Sequence, residues 1–367
     1  MQGTSVNPGL IPRTLDLLFD SLKEKLELNK AAICKFKPDK FNEIVSLTES
    51  EHEKELAHKK QLLGLAKEVA GTSVSKASGN MAKTKQYSST ASSLVNKLAN
   101  VRVPDNKKYI IWMSFYELYN DNIYDLLEVF DPKINSNVRP LIREDKNKVP
   151  FVDGVNHVPV FSSDEAIRIF KYGEKRLHKS RTSINESSSR SHAVFCLKFV
   201  AIECDVTGVS DHSIFTINQL SFCDLAGNEQ LYKTGASDDI LDESKHINTS
   251  LTALSRCINE MTLSKKQITF RENKLTRLFQ AYFEGRGMVK MIVNLNPSLA
   301  CFDDSINVLN FANSATKIQI NLNDMDKNQY IYENEKQNTR TGENVRQRDG
   351  ANAIADDGTT LASRIKL

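Results

Sequence analysis

Four short runs of mostly apolar residues, separated by longer amphipathic stretches, set the predicted secondary structure. The runs cover residues 109–116, 193–202, 214–223 and 288–295. Runs of this length and composition are typical of strands that lie inside a sheet. Because helical stretches separate them, the pattern predicts an α/β layered fold. The connection lengths favour a mixed central sheet over a purely parallel one, with helices on both faces.

Apolar residues that recur every three or four positions predict the helices. The first helix covers residues 11–27 and the last covers 304–317. A capping-box pattern at 162–165 predicts the start of another helix, which extends to about residue 179. The longest predicted helix covers 245–263, and its apolar stripe consists of Ile247, Leu251, Leu254, Ile258 and Met261.

Two polar regions depart from this pattern. Residues 29–107 contain a charged stretch over 49–61, which predicts an exposed helix, and a stretch rich in Ser, Thr, Gly and Lys over 71–93. Such sequences bury too little apolar surface to stay ordered, so we expect a mobile charged insertion. We therefore expect one domain over residues 1–318, interrupted by this insertion, and a neck or disordered tail over 319–367.

The composition excludes several classes of protein. The 367 residues are 40% hydrophobic and 26% charged, and a net charge of +3 is too small to indicate nucleic acid as a partner. The six cysteines show no Cys-x-x-Cys spacing, which argues against a zinc site and for reduced thiols. No apolar stretch resembles a signal peptide or could span a bilayer. We expect an intracellular protein that engages neither membrane nor nucleic acid.

One predicted strand ends in residues suited to phosphate chemistry. The run over 214–223 is followed directly by Asp224, and Gly227 comes three residues later. A carboxylate at the end of a buried strand can face Mg²⁺, and a glycine lets a backbone N–H approach a terminal phosphate. Alone, Asp-x-x-Gly is weak evidence, because any strand followed by a turn can produce it. The hydroxyl-rich run over 185–192 is unusual for a connecting loop and adds to that evidence.

Together, the two stretches resemble the nucleotide-sensing switches of a kinesin motor domain. Residues 185–192 resemble switch I, Asn-x-x-Ser-Ser-Arg-Ser-His, and residues 224–229 resemble switch II, Asp-Leu-Ala-Gly-Ser-Glu, with Asn228 in place of the serine. Further motifs follow the family order: a strand motif over 115–127, the relay helix around 247–251 and the tubulin-facing segment over 270–276. The long insertion is similar to that of mitotic, central-spindle kinesins.

The resemblance implies ATP and Mg²⁺ as cofactors and microtubules as the partner. In the family, the two switches close around the γ-phosphate through an Arg–Glu salt bridge. Carried over to this chain, the implied catalytic residues are Ser188, Ser189, Arg190 and Glu229. The implied nucleotide contacts are Asn185, Ser189, Asp224 and Gly227, of which Ser189 and Asp224 serve Mg²⁺, the latter through water. The implied tubulin-facing residues are Lys265, Lys266, Arg271, Lys274 and Arg277. We expect His192 to be structural rather than a general base.

The same resemblance implies a P-loop NTPase fold, a location on cytoplasmic and spindle microtubules, and a homodimer of the full-length protein. The P-loop pattern, Gly-x-x-x-x-Gly-Lys-Ser/Thr, does not occur in the sequence. We therefore expect the first strands and the P-loop to be missing and two strand edges to be unpaired. Because P-loop amides and lysine hold the phosphates, we expect this chain alone neither to bind ATP tightly nor to hydrolyse it.

Two functions stay open at this point. The chain is either a fragment of an ATP-driven microtubule motor of mitosis or cytokinesis, or a non-catalytic module that binds microtubules without hydrolysis. A GTPase would share Asp-x-x-Gly but needs Asn-Lys-x-Asp to read guanine. The nearest match begins at Asn273 and ends in Thr276, which cannot make the bidentate carboxylate contact. We therefore reject the GTPase hypothesis.

Overall fold

The computed structural model describes residues 1–3, 7–26, 34–36, 44–74, 106–129, 139–145, 148–177, 191–204, 210–227, 238–263, 265, 267–296 and 298–318. The helices are α1 (Leu10–Leu22), α2 (Glu49–Val74), α3 (Ser163–Arg176), α4 (Asp238–Thr262), α5 (Lys274–Ala281) and α6 (Phe302–Thr316). The strands are β1 (Cys34–Phe36), β2 (Ile44–Ser46), β3 (Lys107–Tyr119), β4 (Asn122–Asp125), β5 (Leu141–Glu144), β6 (Pro150–Asp153), β7 (Val158–Pro159), β8 (His192–Cys204) and β9 (Ser210–Asp224).

A five-stranded sheet forms the centre of the described part of the chain. Its order is β4–β3–β8–β9, and β7 also pairs with β3. The longest uninterrupted ladder joins β3 to β8, from Lys107 opposite Glu203 to Leu118 opposite His192. Between the described strands every ladder is antiparallel, and the isolated bridge of Leu26 to Tyr109 is a parallel pairing. Among the described strands, β4 and β9 lie at the two ends of this order.

Helices cover both faces of the sheet, as the sequence predicts. Side chains point alternately to the two faces of a strand. Along β8, Phe195 and Leu197 therefore join one core cluster, while Val194 and Cys196 join the other. The first cluster is completed by α1, α2 and α3, and the second by α4, α5 and α6. The α/β layered architecture is confirmed.

The predicted helices over 11–27, 245–263 and 304–317 are present with shifted ends. α1 ends early, because a turn follows Leu22 and Leu26 then pairs with β3. In α4, Leu254 and Ile258 of the apolar stripe are buried. The stripe also includes Leu251 and Met261, which are half-buried. The side chain of Ile247 lies outside the described set.

The capping box at the start of α3 is also present in slightly altered form. Ser162 Oγ accepts a hydrogen bond from Glu165 N at 3.2 Å. The Glu165 carboxylate accepts one from Phe161 N at 2.8 Å, one residue before the expected donor. Two N–H groups at the start of the helix are thereby satisfied.

The helix predicted over 49–61 is present and mostly exposed, with Lys59 buried, but it is longer than the charged stretch indicates. α2 continues to Val74, and Leu62 and Ala66 are buried in the first core cluster. These two residues lie four positions apart, on one helix face, just beyond the charged stretch that dominates the sequence pattern. That small apolar stripe is enough to dock the helix. The remainder of the insertion, over 75–105, and the tail over 319–367 lie outside the described residues.

A buried lysine joins α2 to α3. Lys59 Nζ lies 2.8 Å from the Glu165 carboxylate and 3.8 Å from the centre of the Phe161 ring. Burial lowers the pKa of Lys59, and its hydrogen bond to Glu165 acts in the opposite direction. The ion pair and the ring contact together compensate for taking the ammonium group out of water.

The prediction of a buried strand over 288–295 is wrong. This segment belongs to no ladder of the described chain, and Met288, Ile292 and Leu295 are exposed. Burial of a strand requires a neighbouring strand for its backbone groups and a covering layer for its side chains. None of the described strands pairs with this segment or with the outer edge of β9. Met291 alone of its apolar residues packs against the second core cluster.

The Asp125-Leu126-Leu127 part of the strand motif has a structural role. The Asp125 carboxylate accepts hydrogen bonds from Leu127 N at 2.8 Å and from Asn156 N at 2.6 Å. The Asn156 side-chain amide donates a third, at 2.8 Å. Burial raises the pKa of Asp125 to about 6, against the effect of these three donors. The motif therefore ties the end of β4 to the loop before β7.

We expect Leu254→Ala to lower the free energy of unfolding by about 2–5 kcal/mol, because it leaves a cavity between α4 and the sheet. Leu254 is 3% exposed, whereas Leu263, just past the same helix, is 70% exposed. The control Leu263→Ala should change the free energy by less than about 0.5 kcal/mol. Denaturant titration followed by circular dichroism measures both, and equal effects of the two variants contradict the packing of α4.

Candidate functional site

The end of β9 presents the carboxylate that the sequence singles out. Asp224 is the last residue of β9, its side chain is exposed, and it pairs in register with Ala193 of β8. A cavity of about 10 Å³ beside it is also lined by Met1 and Gln2. A space of this size holds about one water molecule and no nucleotide. The exposed carboxylate fits a role as an outer ligand of Mg²⁺, which prefers oxygen donors and retains water.

A buried histidine holds the loop that follows Asp224. Ala226 N donates a hydrogen bond to His192 Nδ1 at 3.1 Å. His192 Nε2 lies 2.7 Å from Ser250 Oγ, in the middle of α4. Because Nδ1 accepts this hydrogen bond, it carries no proton itself. The imidazole is therefore the neutral Nε2–H tautomer, and Nε2 donates to Ser250.

The environment of His192 favours this neutral form. The side chain is 4% exposed, and burial lowers the pKa of His192 to about 4. Both ring nitrogens are committed to hydrogen bonds inside the protein, so the ring has no free position for proton transfer to a ligand. The expectation that His192 is structural agrees with this geometry.

Four of the five implied tubulin-facing residues are described, and the structure places them between the end of α4 and the middle of α5. We call Lys265, Arg271, Lys274 and Arg277 the basic segment. Arg271, 71% exposed, is the most accessible of the four. Lys266 lies outside the described residues, as do Asn185, Ser188, Ser189, Arg190 and Glu229.

Each cation of the basic segment has an acidic partner that the sequence analysis missed. The Glu144 carboxylate, at the end of β5, lies 3.1 Å from both Arg271 and Arg277. Lys274 Nζ donates to the Asp121 carbonyl oxygen and lies 3.5 Å from the carboxylate of the same residue.

Lys265 Nζ is 3.3 Å from Glu260. Glu260 also accepts hydrogen bonds from the backbone and the hydroxyl of Thr269, at 3.0 and 2.8 Å. The loop between α4 and α5 is closed by this carboxylate. Glu144 and Asp121 are more than a hundred positions away from the basic segment, so no local pattern could have revealed their pairing with it.

None of the helices in the described ranges combines the length and hydropathy needed to cross a membrane.

Comparison with known sequences identifies a family. The profile of the kinesin motor domain matches residues 1–318. The kinesin-like protein KIF20B of Mus musculus is 35% identical over 329 residues, which cover 87% of this chain and 18% of the relative. The kinesin-like protein KIF20A of Homo sapiens is 34% identical over 351 residues, covering 87% of this chain and 38% of the relative. The chain thus spans less than half the length of these relatives.

Solved structures show the same similarity in three dimensions. A structure described as kinesin 6 superposes with a TM-score of 0.60 at 27% identity, covering 85% of this chain and 76% of that one. A KIF14 dimer with AMP-PNP, in complex with a microtubule, gives a TM-score of 0.53 at 26% identity, covering 64% and 65%. The fold of this chain is therefore similar to that of these two kinesin structures.

We expect His192 to make stability depend on pH below neutrality. Its pKa falls from 6.5 to about 4 on folding. Between these two pH values the unfolded chain binds a proton at His192 that the folded chain does not bind. The contribution of the neutral imidazole to the free energy of unfolding is complete above pH 6.5. It is lost as the pH falls towards 4, at about 1.4 kcal/mol per pH unit. Denaturant titrations at several pH values in this range give the free energy of unfolding of the wild type and of His192→Asn. This free energy should fall less steeply with decreasing pH in the variant, and an equal pH dependence of the two proteins contradicts the assignment.

Proposed function

Since this chain belongs to the kinesin motor domain family, we propose that it binds microtubules as part of an ATP-driven motor of the spindle and of cytokinesis. The observation that carries the proposal is the basic segment. Its four cations follow the helix that His192 connects to the Asp224–Gly227 loop. A nucleotide-sensing loop and a tubulin-facing surface would thus share one helix, α4, as a motor requires.

The charges of the basic segment support a tubulin partner. The surface of tubulin is acidic, and attraction between opposite charges steers association and weakens as salt rises. In the free chain these cations form ion pairs with Glu144, Asp121 and Glu260. Arg271 is 71% exposed and Asp121, the partner of Lys274, is 55% exposed. Ion pairs at the surface contribute only about 0–1 kcal/mol, so carboxylates of a partner can replace those of Arg271 and Lys274 at little cost.

The nucleotide site is the second part of the proposal. We assign Asp224 to an outer ligand of Mg²⁺ and the Gly227 N–H to the γ-phosphate. Ser188, Ser189, Arg190 and Glu229 keep the catalytic roles, and Asn185 the nucleotide contact, that the resemblance implies. Bound Mg²⁺ would neutralise phosphate charge during transfer. The exposure of Asp224 at the end of β9 supports the assignment, because a buried carboxylate could not reach a hydrated ion.

The cellular role is proposed from the same relatives. We assign the protein to microtubules of the cytoskeleton and the spindle, and the full-length form to a homodimer. The alternative stays a microtubule-binding module without hydrolysis. In cosedimentation of the full-length protein with microtubules, a motor is released by ATP, whereas a non-catalytic module pellets equally with and without ATP.

The basic segment is tested by charge reversal in this chain. The double variant Arg271→Glu and Lys274→Glu should weaken microtubule binding about tenfold or more in cosedimentation, because two attractions become repulsions. Wild-type binding should also weaken as salt rises from low to physiological ionic strength. The matched control is Lys171→Glu on α3, an exposed lysine on the opposite face of the sheet. Equal affinity of the double variant and the wild type, or equal weakening by the control, refutes the proposed surface.

A further inference from the structure

His192 connects three parts of the chain that are far apart in sequence. It is the last residue of the hydroxyl-rich run in the sequence and the first residue of β8. Its Nδ1 receives the Ala226 N–H, from the loop after β9, and its Nε2 reaches Ser250 on α4. The imidazole thus connects the start of β8, the loop containing Gly227 and α4.

The two hydrogen bonds of the imidazole depend on each other. An imidazole is rigid and planar, so its two nitrogens move together. A shift of Ala226 that turns the ring also moves Nε2 relative to Ser250. A neutral imidazole has one donor and one acceptor, and here each has one of these two partners. Hydrogen bonds weaken steeply outside their normal distance and angle, so the pair tolerates little independent movement of loop and helix.

We propose that His192 is a positioning residue that transmits the position of the Asp224–Gly227 loop to α4. In mechanical terms, movement of the Ala226 amide is passed through the ring to Ser250. The consequence for a motor, coupling of the nucleotide loop to the helix that precedes the basic segment, rests on the proposed function. The coupling itself is a property of the free chain and can be tested without nucleotide or microtubules.

A residue that merely fills space would behave differently. Packing alone requires the volume of the ring and leaves the loop and the helix independent of each other. Transmission requires both nitrogens, so the two amide side chains that mimic one nitrogen each separate the possibilities. In His192→Asn, Oδ1 replaces Nδ1 as the acceptor for Ala226 and no group reaches Ser250. In His192→Gln, the longer amide can reach Ser250 and leaves Ala226 without its acceptor.

Deuterium exchange of the Ala226 amide in the full chain gives the measurement, with the Leu197 amide in the middle of β8 as a monitor of overall opening. His192→Gln should speed exchange at Ala226 about tenfold or more, and His192→Asn by about 3- to 10-fold, as loss of the Ser250 contact alone does, with Leu197 changing far less. Ser250→Ala, which does not touch Ala226, should speed its exchange by about 3- to 10-fold when His192 is present. In the His192→Asn background the same change should have no effect, because the connection is already cut.

The outcomes separate cleanly. Faster exchange at Ala226 in Ser250→Ala, lost in the His192→Asn background, establishes the coupling. No change at Ala226 in Ser250→Ala overturns it, as does an equal change in both backgrounds or an equal change at Leu197. If His192→Gln does not fold, the Ser250→Ala comparison decides alone. Because the exchange is measured on the free chain, its failure leaves microtubule binding untouched, and failure of cosedimentation leaves the coupling untouched.

Discussion

The antiparallel contact between β3 and β8 is the constraint on which the rest of the described structure depends. It joins thirteen-residue strands along nearly their whole length, and both faces of the pair are covered by helices. Side chains on one face pack against α1, α2 and α3, and those on the other face pack against α4, α5 and α6. Because a shift of one residue would turn every side chain to the wrong face, the two core clusters fix the register.

That register also determines where the candidate site lies. In an antiparallel pair the start of one strand faces the end of its neighbour, so His192 at the start of β8 meets the end of β9. Ala193 is the register partner of Asp224. The two segments that the sequence likens to switches therefore enter and leave the sheet at the same point. A single buried side chain can reach both of them and α4 as well.

Sequence patterns were reliable wherever an element carries its own signal. The run over 109–116 and the stripe containing Leu254 depend on residues within one strand or one helix. The run over 288–295 has an equally apolar sequence, yet its burial depends on neighbours that no described strand supplies. Leu62 was missed because two apolar positions are a faint signal beside many charges. Glu144 was missed because its partners are distant along the chain.

We propose above all that this chain engages tubulin through the basic segment. Electron cryo-microscopy of the chain bound to microtubules tests it most directly. The account predicts that the basic segment lies against tubulin, with Arg271 at the contact and the layer of α1, α2 and α3 turned to solvent. A complex in which α1, α2 or α3 contacts tubulin, while the basic segment faces solvent, would contradict it.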